Sequence, residues 1–359
     1  MPTPGRMTHH PDTRLPQRVA LGVLLRSFPP VRVDQVLDAA GRREQRQRLL
    51  PARLMVYFTL GMWIFKSLPY ELILTEILRD APGLAPPVGT EEPASAAAIG
   101  RARRRLGVEP LRLLFDEAAG PSAAGPAQWR GLRPVRLCQV EVGVPATPAN
   151  LEGFGGAGRW RPAAAAPARP PRPPLCAQLS LLIEDGTERI VAADVGECAD
   201  PPLERLLDGA LPAETLLVMD ERPLAARLWA AAERLGVDQL WPLEEQVQPS
   251  HATRLPDGSL LVKLPADDGS ELVARMVSRG GPRPVRLATS ILDHRAAPAA
   301  DLLALHDGGG AGGGFDGVAT YGNGGRLELR SKDPDMVSQE LYAMLCVQHA
   351  IGDLVGHGQ

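Results

Sequence analysis

The feature that most constrains the fold is a change in the periodicity of the apolar residues near residue 121. From Leu15 to about Gly120 the apolar residues recur at intervals of three and four, which predicts helices. From Leu132 onward, alternating segments and short apolar runs between turn residues indicate strands. A chain of 359 residues is long enough for two domains. We therefore expect a helical N-terminal domain followed by a domain built around a sheet.

Composition sets the expected boundaries. Residues 1–14 are polar and rich in proline, and we expect a disordered leader there. Residues 15–121 form the predicted helical domain, and residues 132–359 form the predicted sheet domain. Within the helical domain, Ser95 is expected to cap a helix that Gly107 ends. Within the second domain, the segment 162–174 contains six prolines in thirteen residues, which predicts an extended loop.

The strand pattern predicts an α/β fold with a mixed sheet. Leu175–Glu184 and Arg189–Asp194 flank an Asp-Gly turn signal, as in a hairpin. Thr215–Met219 is a short apolar run typical of a buried strand, and Leu224–Leu235 is predicted to be the crossover helix after it. A further hairpin pattern lies near residues 245–280, where we expect an inserted β region.

Charge is distributed unevenly behind a formal net value of −3. Residues 1–121 carry 17 basic and 12 acidic side chains, whereas the remainder carries 22 basic and 30 acidic side chains. A basic N-terminal part on an acidic body favours a contact with nucleic acid at that end. Ordinary fluctuation in composition is the alternative, because the excess is small.

No segment of the sequence predicts a membrane anchor. Met1–Arg14 is polar, so we expect no signal peptide. The longest apolar stretch, Leu54–Phe65, is too short to cross a bilayer and instead predicts a buried helix. The four cysteines form no CxxC pair, which is typical of buried thiols in a reducing cytosol. We therefore expect a cytoplasmic protein.

Asp220 is the first candidate functional residue, because it closes the predicted strand Thr215–Met219. Open α/β sheets bind ligands at the carboxyl ends of their strands. A turn residue at the end of a strand is the alternative interpretation.

Several sequence blocks occur in a fixed order along the chain and together resemble the bacterial DDE transposases of the insertion-sequence-four type. The blocks are Arg18–Leu24 with Phe28–Pro30, Arg48–Arg53, Ala102–Gly107, Pro145–Asn150, Arg254–Ser259 and Gln339–Tyr342. The resemblance implies a ribonuclease H-like core with a β insertion behind an all-helical N-terminal domain. It also implies DNA as the partner, bound at transposon terminal inverted repeats, and is compatible with a homodimer.

The chemistry that the resemblance implies requires three acidic residues around two Mg²⁺ ions. Such ions bracket the attacking and leaving oxygens of the phosphodiester, and Mg²⁺ prefers hard oxygen ligands. Asp220 matches the second acidic position, but the first position is Cys138 and the third is Gly313. A thiolate is too soft for Mg²⁺, so we expect Mg²⁺ binding and catalysis to be impaired.

Three other carboxylates are candidates to replace the missing ligands. Glu141 lies three residues after Cys138 and would point to the opposite face of a regular strand, so it needs a bulge to help. Asp307 and Asp316 flank the glycine run in the segment 308–325. Each glycine in a helix costs about 1 kcal/mol relative to alanine, so we expect no helix over Gly308–Gly314.

Basic side chains outside the core are candidate phosphate contacts. One cluster lies on a predicted helix, and a weaker pair precedes the last helix. The candidates are Arg101, Arg103, Arg104, Arg105, Arg330 and Lys332. An ordinary solvated helix surface is the alternative for the cluster.

Three functional hypotheses follow from these observations. The chain is an active transposase, a catalytically silent DNA-binding relative, or a remnant without function. The two missing carboxylates oppose the first hypothesis. The retained arginines favour the second hypothesis, and the proline-rich and glycine-rich segments favour the third.

Overall fold

A computed structural model describes most of the chain. The described residues are 15–44, 46, 48–86, 94–120, 129–154, 175–187, 189–197, 204–207, 211–212, 214–219, 224–265, 269–281, 284–309 and 329–356. The predicted leader 1–14, the proline-rich segment 162–174 and all but two residues of the segment 308–325 lie outside this part of the chain. Asp220, Gly313 and Asp316 also lie outside it.

The chain divides into a helical unit, residues 1–118 with 331–359, and a sheet unit, residues 119–330. The helical unit contains seven α-helices among its described residues, with a short 3₁₀ turn at Pro82–Leu84 after α4. They are α1 (Leu15–Ser27), α2 (Pro30–Ala39), α3 (Ala52–Ile64), α4 (Tyr70–Asp80), α5 (Ala96–Leu106), α6 (Glu109–Ala118) and the last helix of the chain, α11 (Pro334–Gly356).

Helix α3 forms the centre of the helical unit. It is buried from Ala52 to Trp63 except at Arg53, as expected for a helix that is apolar on all sides. Helix α5 begins where Ser95 Oγ accepts a hydrogen bond from the Ala98 amide at 3.3 Å. It ends at Gly107, whose φ of 72° is readily adopted only by glycine. Both ends were predicted from the sequence.

The last helix belongs to the helical unit. The prediction that all of residues 132–359 form the sheet domain is therefore wrong for this helix. Helix α11 packs on α1, α3, α5 and α6. Trp63 Nε1 donates to the Glu340 carbonyl oxygen at 2.6 Å. Gln339 Nε2 donates to the carbonyl oxygens of Arg103 at 2.8 Å and Gly107 at 2.9 Å. The sheet unit is therefore inserted in the sequence between two parts of one helical core.

The sheet unit contains four helices and nine strands among its described residues. The helices are α7 (Pro148–Phe154), α8 (Glu204–Leu207), α9 (Ala226–Arg234) and α10 (Ala299–Gly309). The strands are β1 (Arg133–Gly143), β2 (Cys176–Glu184), β3 (Arg189–Glu197), β4 (Thr215–Met219), β5 (Asp238–Pro242), β6 (His251–Arg254), β7 (Leu260–Pro265), β8 (Glu271–Arg279) and β9 (Val285–Thr289).

These strands form one mixed sheet in the order β3-β2-β1-β4-β5-β9-β8-β7-β6. Strand β1 is antiparallel to β2 and parallel to β4, which is parallel to β5. The first five strands thus form the ribonuclease H-like arrangement, and the predicted fold class is confirmed. The inserted region, expected near 245–280, extends to Thr289 and continues the same sheet because β9 pairs antiparallel with β5.

Apolar clusters cover both faces of this sheet. On one face Leu217 of β4 packs in a cluster with Trp229 of α9. On the other face Val218 packs in a cluster with Leu302 of α10. Alternate residues of β4 therefore serve different cores, as the strand geometry requires. Within the part of the chain that the structure describes, no helix is both long and apolar enough to span a bilayer.

Candidate functional site

Cys138 lies in the middle of β1, between two paired strands. It is partly buried and lies opposite Leu181 of the antiparallel neighbour β2. On the other side the parallel register runs as far as Leu137 opposite Met219 of β4. Asp220 follows Met219 in the sequence but lies outside the described residues. Cys138, the residue predicted for the first metal position, is thus a thiol in a regular stretch of β1.

Glu141 lies on the other face of β1. The pairing of β1 with β2 runs from Val135 to Gly143 without a register shift, so the bulge that Glu141 would need is absent from this stretch. Val135 and Leu137 belong to the α9-side core, and Glu141 shares their face because the side chains of a strand alternate. Glu141 is therefore not placed beside Cys138.

Arg136 identifies the face on which Cys138 lies. Its Nη2 donates to the Leu305 carbonyl oxygen of α10 at 2.8 Å, and its Nε donates to Asp185 Oδ1 at 2.7 Å. Because Arg136 and Cys138 are two residues apart, Cys138 lies on the α10 side of the sheet. Helix α10 is the element that carries Asp307 and reaches the predicted glycine segment.

Asp307 already forms an ion pair with Arg279. The two terminal nitrogens of the Arg279 guanidinium, Nη1 and Nη2, donate to the carboxylate, Nη2 at 3.2 Å. The Arg279 guanidinium lowers the pKa of Asp307 below its usual value. Recruitment of Asp307 to a metal would therefore break an existing ion pair.

The glycine run begins inside a helix, which corrects one expectation. Helix α10 includes Gly308 and Gly309 in its last turn. The cost of about 1 kcal/mol for each glycine is tolerated there because α10 is already anchored by its packing on β8 and by Arg136. Residues 310–314 lie outside the described residues, so the expectation for them stays a prediction.

Among the described residues, the candidate donors do not form a site that suits Mg²⁺. In the described ranges no group of three or more His, Cys, Asp or Glu side chains is placed to hold a metal ion. Cys138 offers sulfur where Mg²⁺ requires oxygen. Glu141 lies on the wrong face, and Asp307 is paired with Arg279. Asp220, Gly313 and Asp316 lie outside the described residues.

The predicted arginine cluster is divided between interior and surface. Arg103 is fully buried, and it donates to Ser331 Oγ at 3.2 Å and to the Met336 carbonyl oxygen at 3.0 Å. The prediction that Arg103 contacts DNA is therefore wrong, because its guanidinium joins α5 to α11. Arg101, Arg104 and Arg105 are exposed on α5.

The exposed members of the cluster differ in their partners. Arg104 pairs with Asp333 at 3.0 Å, and Arg105 pairs with Glu44 at 3.2 Å. Lys332 is exposed in the helical unit, whereas Arg330 is half-buried in the sheet unit. These residues stay candidate phosphate contacts.

A second group of arginines was not singled out from the sequence. It lies in the connection between α2 and α3 and at the start of α3, where five of the twelve residues 42–53 are arginine. The high local density of arginine could have been noticed in the sequence. The charge count over residues 1–121 averaged it with the rest of the domain. The group comprises Arg42, Arg43, Arg46, Arg48 and Arg53.

Comparisons with known proteins show which class of protein the chain resembles. Residues 18–116 match the family model of the insertion element 4 transposase N-terminal domain. The chain is 27% identical over 341 residues to the transposase InsG of insertion sequence element IS4 from Escherichia coli K12, covering 90% of this chain and 74% of that protein. The chain is therefore similar to the transposases of the IS4 type over most of its length.

Two solved structures show weaker similarity. A piggyBac transposase synaptic complex with hairpin DNA aligns over 99% of this chain and 70% of its own, at 10% identity and a TM-score of 0.38. Endonuclease V from Streptomyces avermitilis aligns over 56% of this chain and 79% of its own, at 12% identity and a TM-score of 0.23. These TM-scores are too low to support an inference about this chain.

Proposed function

We propose that this chain is an IS4-type transposase that binds transposon-end DNA but does not catalyse Mg²⁺-dependent strand transfer. The observation that carries the proposal is the place of Cys138 in an unbroken central strand. A regular register leaves no freedom for a neighbouring carboxylate of β1 to turn to the same face. The first ligand position therefore lacks an oxygen donor.

The chemical consequence is severe because two metal ions act together. In two-metal phosphoryl transfer, the ions stabilise both the attacking and the leaving oxygen. Asp220, proposed as the retained ligand, cannot by itself fix two hard cations that prefer several oxygen ligands each. Asp307, the candidate replacement ligand on α10, forms an ion pair with Arg279.

DNA binding is proposed from the family and from the helical surface. The matched N-terminal region contains α5, on which Arg101, Arg104 and Arg105 are exposed. Arginine side chains contact phosphates with two parallel hydrogen bonds. Arg330 and Lys332 are weaker candidates for the same role. A homodimer on paired ends stays a prediction of the family resemblance.

The interior of the helical unit argues against a remnant without function. Arg103 and Gln339 are fully buried, and both donate hydrogen bonds between α5 and α11. Such a polar network is stable only if its partners are kept together. Random decay would remove these partners as readily as it would remove a carboxylate at the metal site.

Wild-type protein is expected to bind end DNA and to leave it uncut. The test is incubation of the full chain with a donor duplex in Mg²⁺ and separately in Mn²⁺, with nicking and joining measured on denaturing gels. Asp220→Asn is the matched variant, because it keeps the size of the side chain and removes its charge. We expect the two proteins to be equally inactive and to bind DNA equally.

Metal-dependent nicking by the wild-type chain that disappears in Asp220→Asn would contradict the loss of catalysis. Absence of DNA binding at low salt would contradict the retained half of the proposal. A related active transposase on its own ends provides the positive control for the assay.

A further inference from the structure

A basic cleft in the helical unit lies between α2, the start of α3 and the 3₁₀ turn Pro82–Leu84. We call it the α2–α3 cleft; its volume is about 300 Å³. Four arginines line it against two carboxylates, so its lining is positively charged. The charged residues are Arg43, Arg46, Arg48, Arg53, Asp34 and Glu44.

Three of these arginines are held in place by carboxylates of the same unit. Arg53 Nε donates to Asp34 Oδ1 at 2.6 Å. Arg43 pairs with Asp38 at 2.5 Å, and Arg48 pairs with Glu44 at 3.4 Å. Pairing fixes the side chains at one edge, but it also neutralises their charge locally.

Glu44 is occupied by the fold itself. Its Oε2 accepts a hydrogen bond from the Ala52 amide at the start of α3, at 2.9 Å. Its Oε1 pairs with Arg105 at 3.2 Å, and Arg105 also donates to the Leu50 carbonyl oxygen at 2.7 Å. Glu44 therefore anchors the connection and is not available to neutralise further cations.

Arg46 and Arg42 are the arginines of this surface whose side chains have no acidic partner among the described residues. Both are exposed, and among the described residues neither side chain has a hydrogen bond or an ion pair. Arg46 lines the α2–α3 cleft. Arg42 lines an adjoining depression of about 130 Å³ that shares Glu44 and Ala52 with the cleft. Two uncompensated guanidinium groups thus border one anchored basic surface.

We infer that the α2–α3 cleft and its adjoining depression receive phosphates of a DNA backbone through Arg46 and Arg42. This inference rests on the proposed DNA-binding function and adds contact residues outside the α5 cluster. An unpaired guanidinium can form two parallel hydrogen bonds to one phosphate. The paired arginines fix one edge of the surface, and Arg46 and Arg42 supply its uncompensated positive charge.

The test is the salt dependence of DNA binding by the full chain. The probes are a duplex containing the terminal inverted repeats that flank the gene and a shuffled duplex of equal length. Each phosphate contact contributes about 0.9 to the slope of log K against log salt. Arg46→Ala and Arg42→Ala are each expected to reduce the slope by about 0.9 and to weaken binding equally for both duplexes.

Arg26→Ala is the matched control, since Arg26 is an exposed arginine of the same unit that lies outside the cleft and has no partner among the described residues. It removes the same charge and is expected to leave the slope unchanged. Arg46→Lys keeps a cation and is expected to retain most of the slope. Thermal melting of each variant verifies that the helical unit is folded.

The outcomes separate this inference from the proposed function. If wild-type protein binds DNA and the Arg46 and Arg42 variants keep the wild-type slope, the cleft assignment is wrong while DNA binding stands. If Arg26→Ala lowers the slope as much, diffuse charge explains the binding and the cleft assignment also fails. If the wild-type chain binds neither duplex at low salt, both proposals fail.

Discussion

A fragment that ends at Ala118 is expected to be unfolded, although it contains six of the seven helices described in the helical unit. The missing helix α11 supplies large apolar side chains to the interior. Those most fully buried are Val337, Leu341, Met344, Leu345 and Val347. Burial of each stabilises the fold by about 1.5–3 kcal/mol, so their loss removes about 10 kcal/mol, comparable to the whole net stability of a domain.

Circular dichroism and urea titration of the fragment measure this effect. The matched control joins residues 1–118 to residues 331–359 through a flexible glycine-serine linker. It restores the helical unit without the sheet unit and is expected to unfold cooperatively. A cooperative transition in the short fragment itself would show that α11 is dispensable.

Replacement of Arg103 by methionine is expected to destabilise the protein by about 3 to 5 kcal/mol, the range seen when a buried charged network is broken. Arg103 is fully buried and binds Ser331 Oγ, which itself donates to the buried carboxylate of Glu340 at 2.6 Å. Arg103→Met removes the cation from this network and leaves the Met336 carbonyl oxygen without its guanidinium donor. The urea midpoint of unfolding is the measurement.

Arg104→Met is the control on the neighbouring residue. Arg104 pairs with Asp333, and its side chain is 60% exposed. Exposed pairs contribute about 1 kcal/mol or less because solvent screens them. Equal destabilisation by the two substitutions would contradict the structural role given to Arg103. Loss of DNA binding in Arg103→Met only under conditions where the variant unfolds would agree with that role.

Local sequence signals predicted much of the fold. The all-apolar stretch of α3, the Ser95 cap and the hairpin of β2 and β3 each depend on nearby residues, and each is present. The expectation of a ribonuclease H-like sheet with an inserted β region came from the family resemblance. The alternation of side chains along β1 also gave the right face for Glu141.

The partner of the last helix could not be predicted in this way. The periodicity of α11 shows that it buries a face, but it does not show which surface covers that face. Contacts between α11 and α3 join residues far apart in the sequence. A prediction by proximity along the chain therefore assigned the helix to the sheet.

The burial of Arg103 was readable but was overlooked. Ile99, Ala102 and Leu106 form the apolar face of α5, and Arg103 falls on that face at helical spacing. The prediction treated Arg101, Arg103, Arg104 and Arg105 as one basic cluster. It did not take account of the different faces of α5 on which they lie. The metal site was harder to judge, because the second and third family positions lie outside the described residues.

Because the helical unit is discontinuous in the sequence, it can complete its folding only late in synthesis. Synthesis proceeds from the N-terminus, and domains generally fold as units as they emerge. Here α1 to α6 are synthesised before residues 119–330, and their core stays incomplete until α11 follows. A nascent chain therefore carries the arginines of the α2–α3 cleft and their paired carboxylates before the interior of the helical unit is complete. The proposed DNA-binding surface is expected to be fully folded only after α11 has been synthesised.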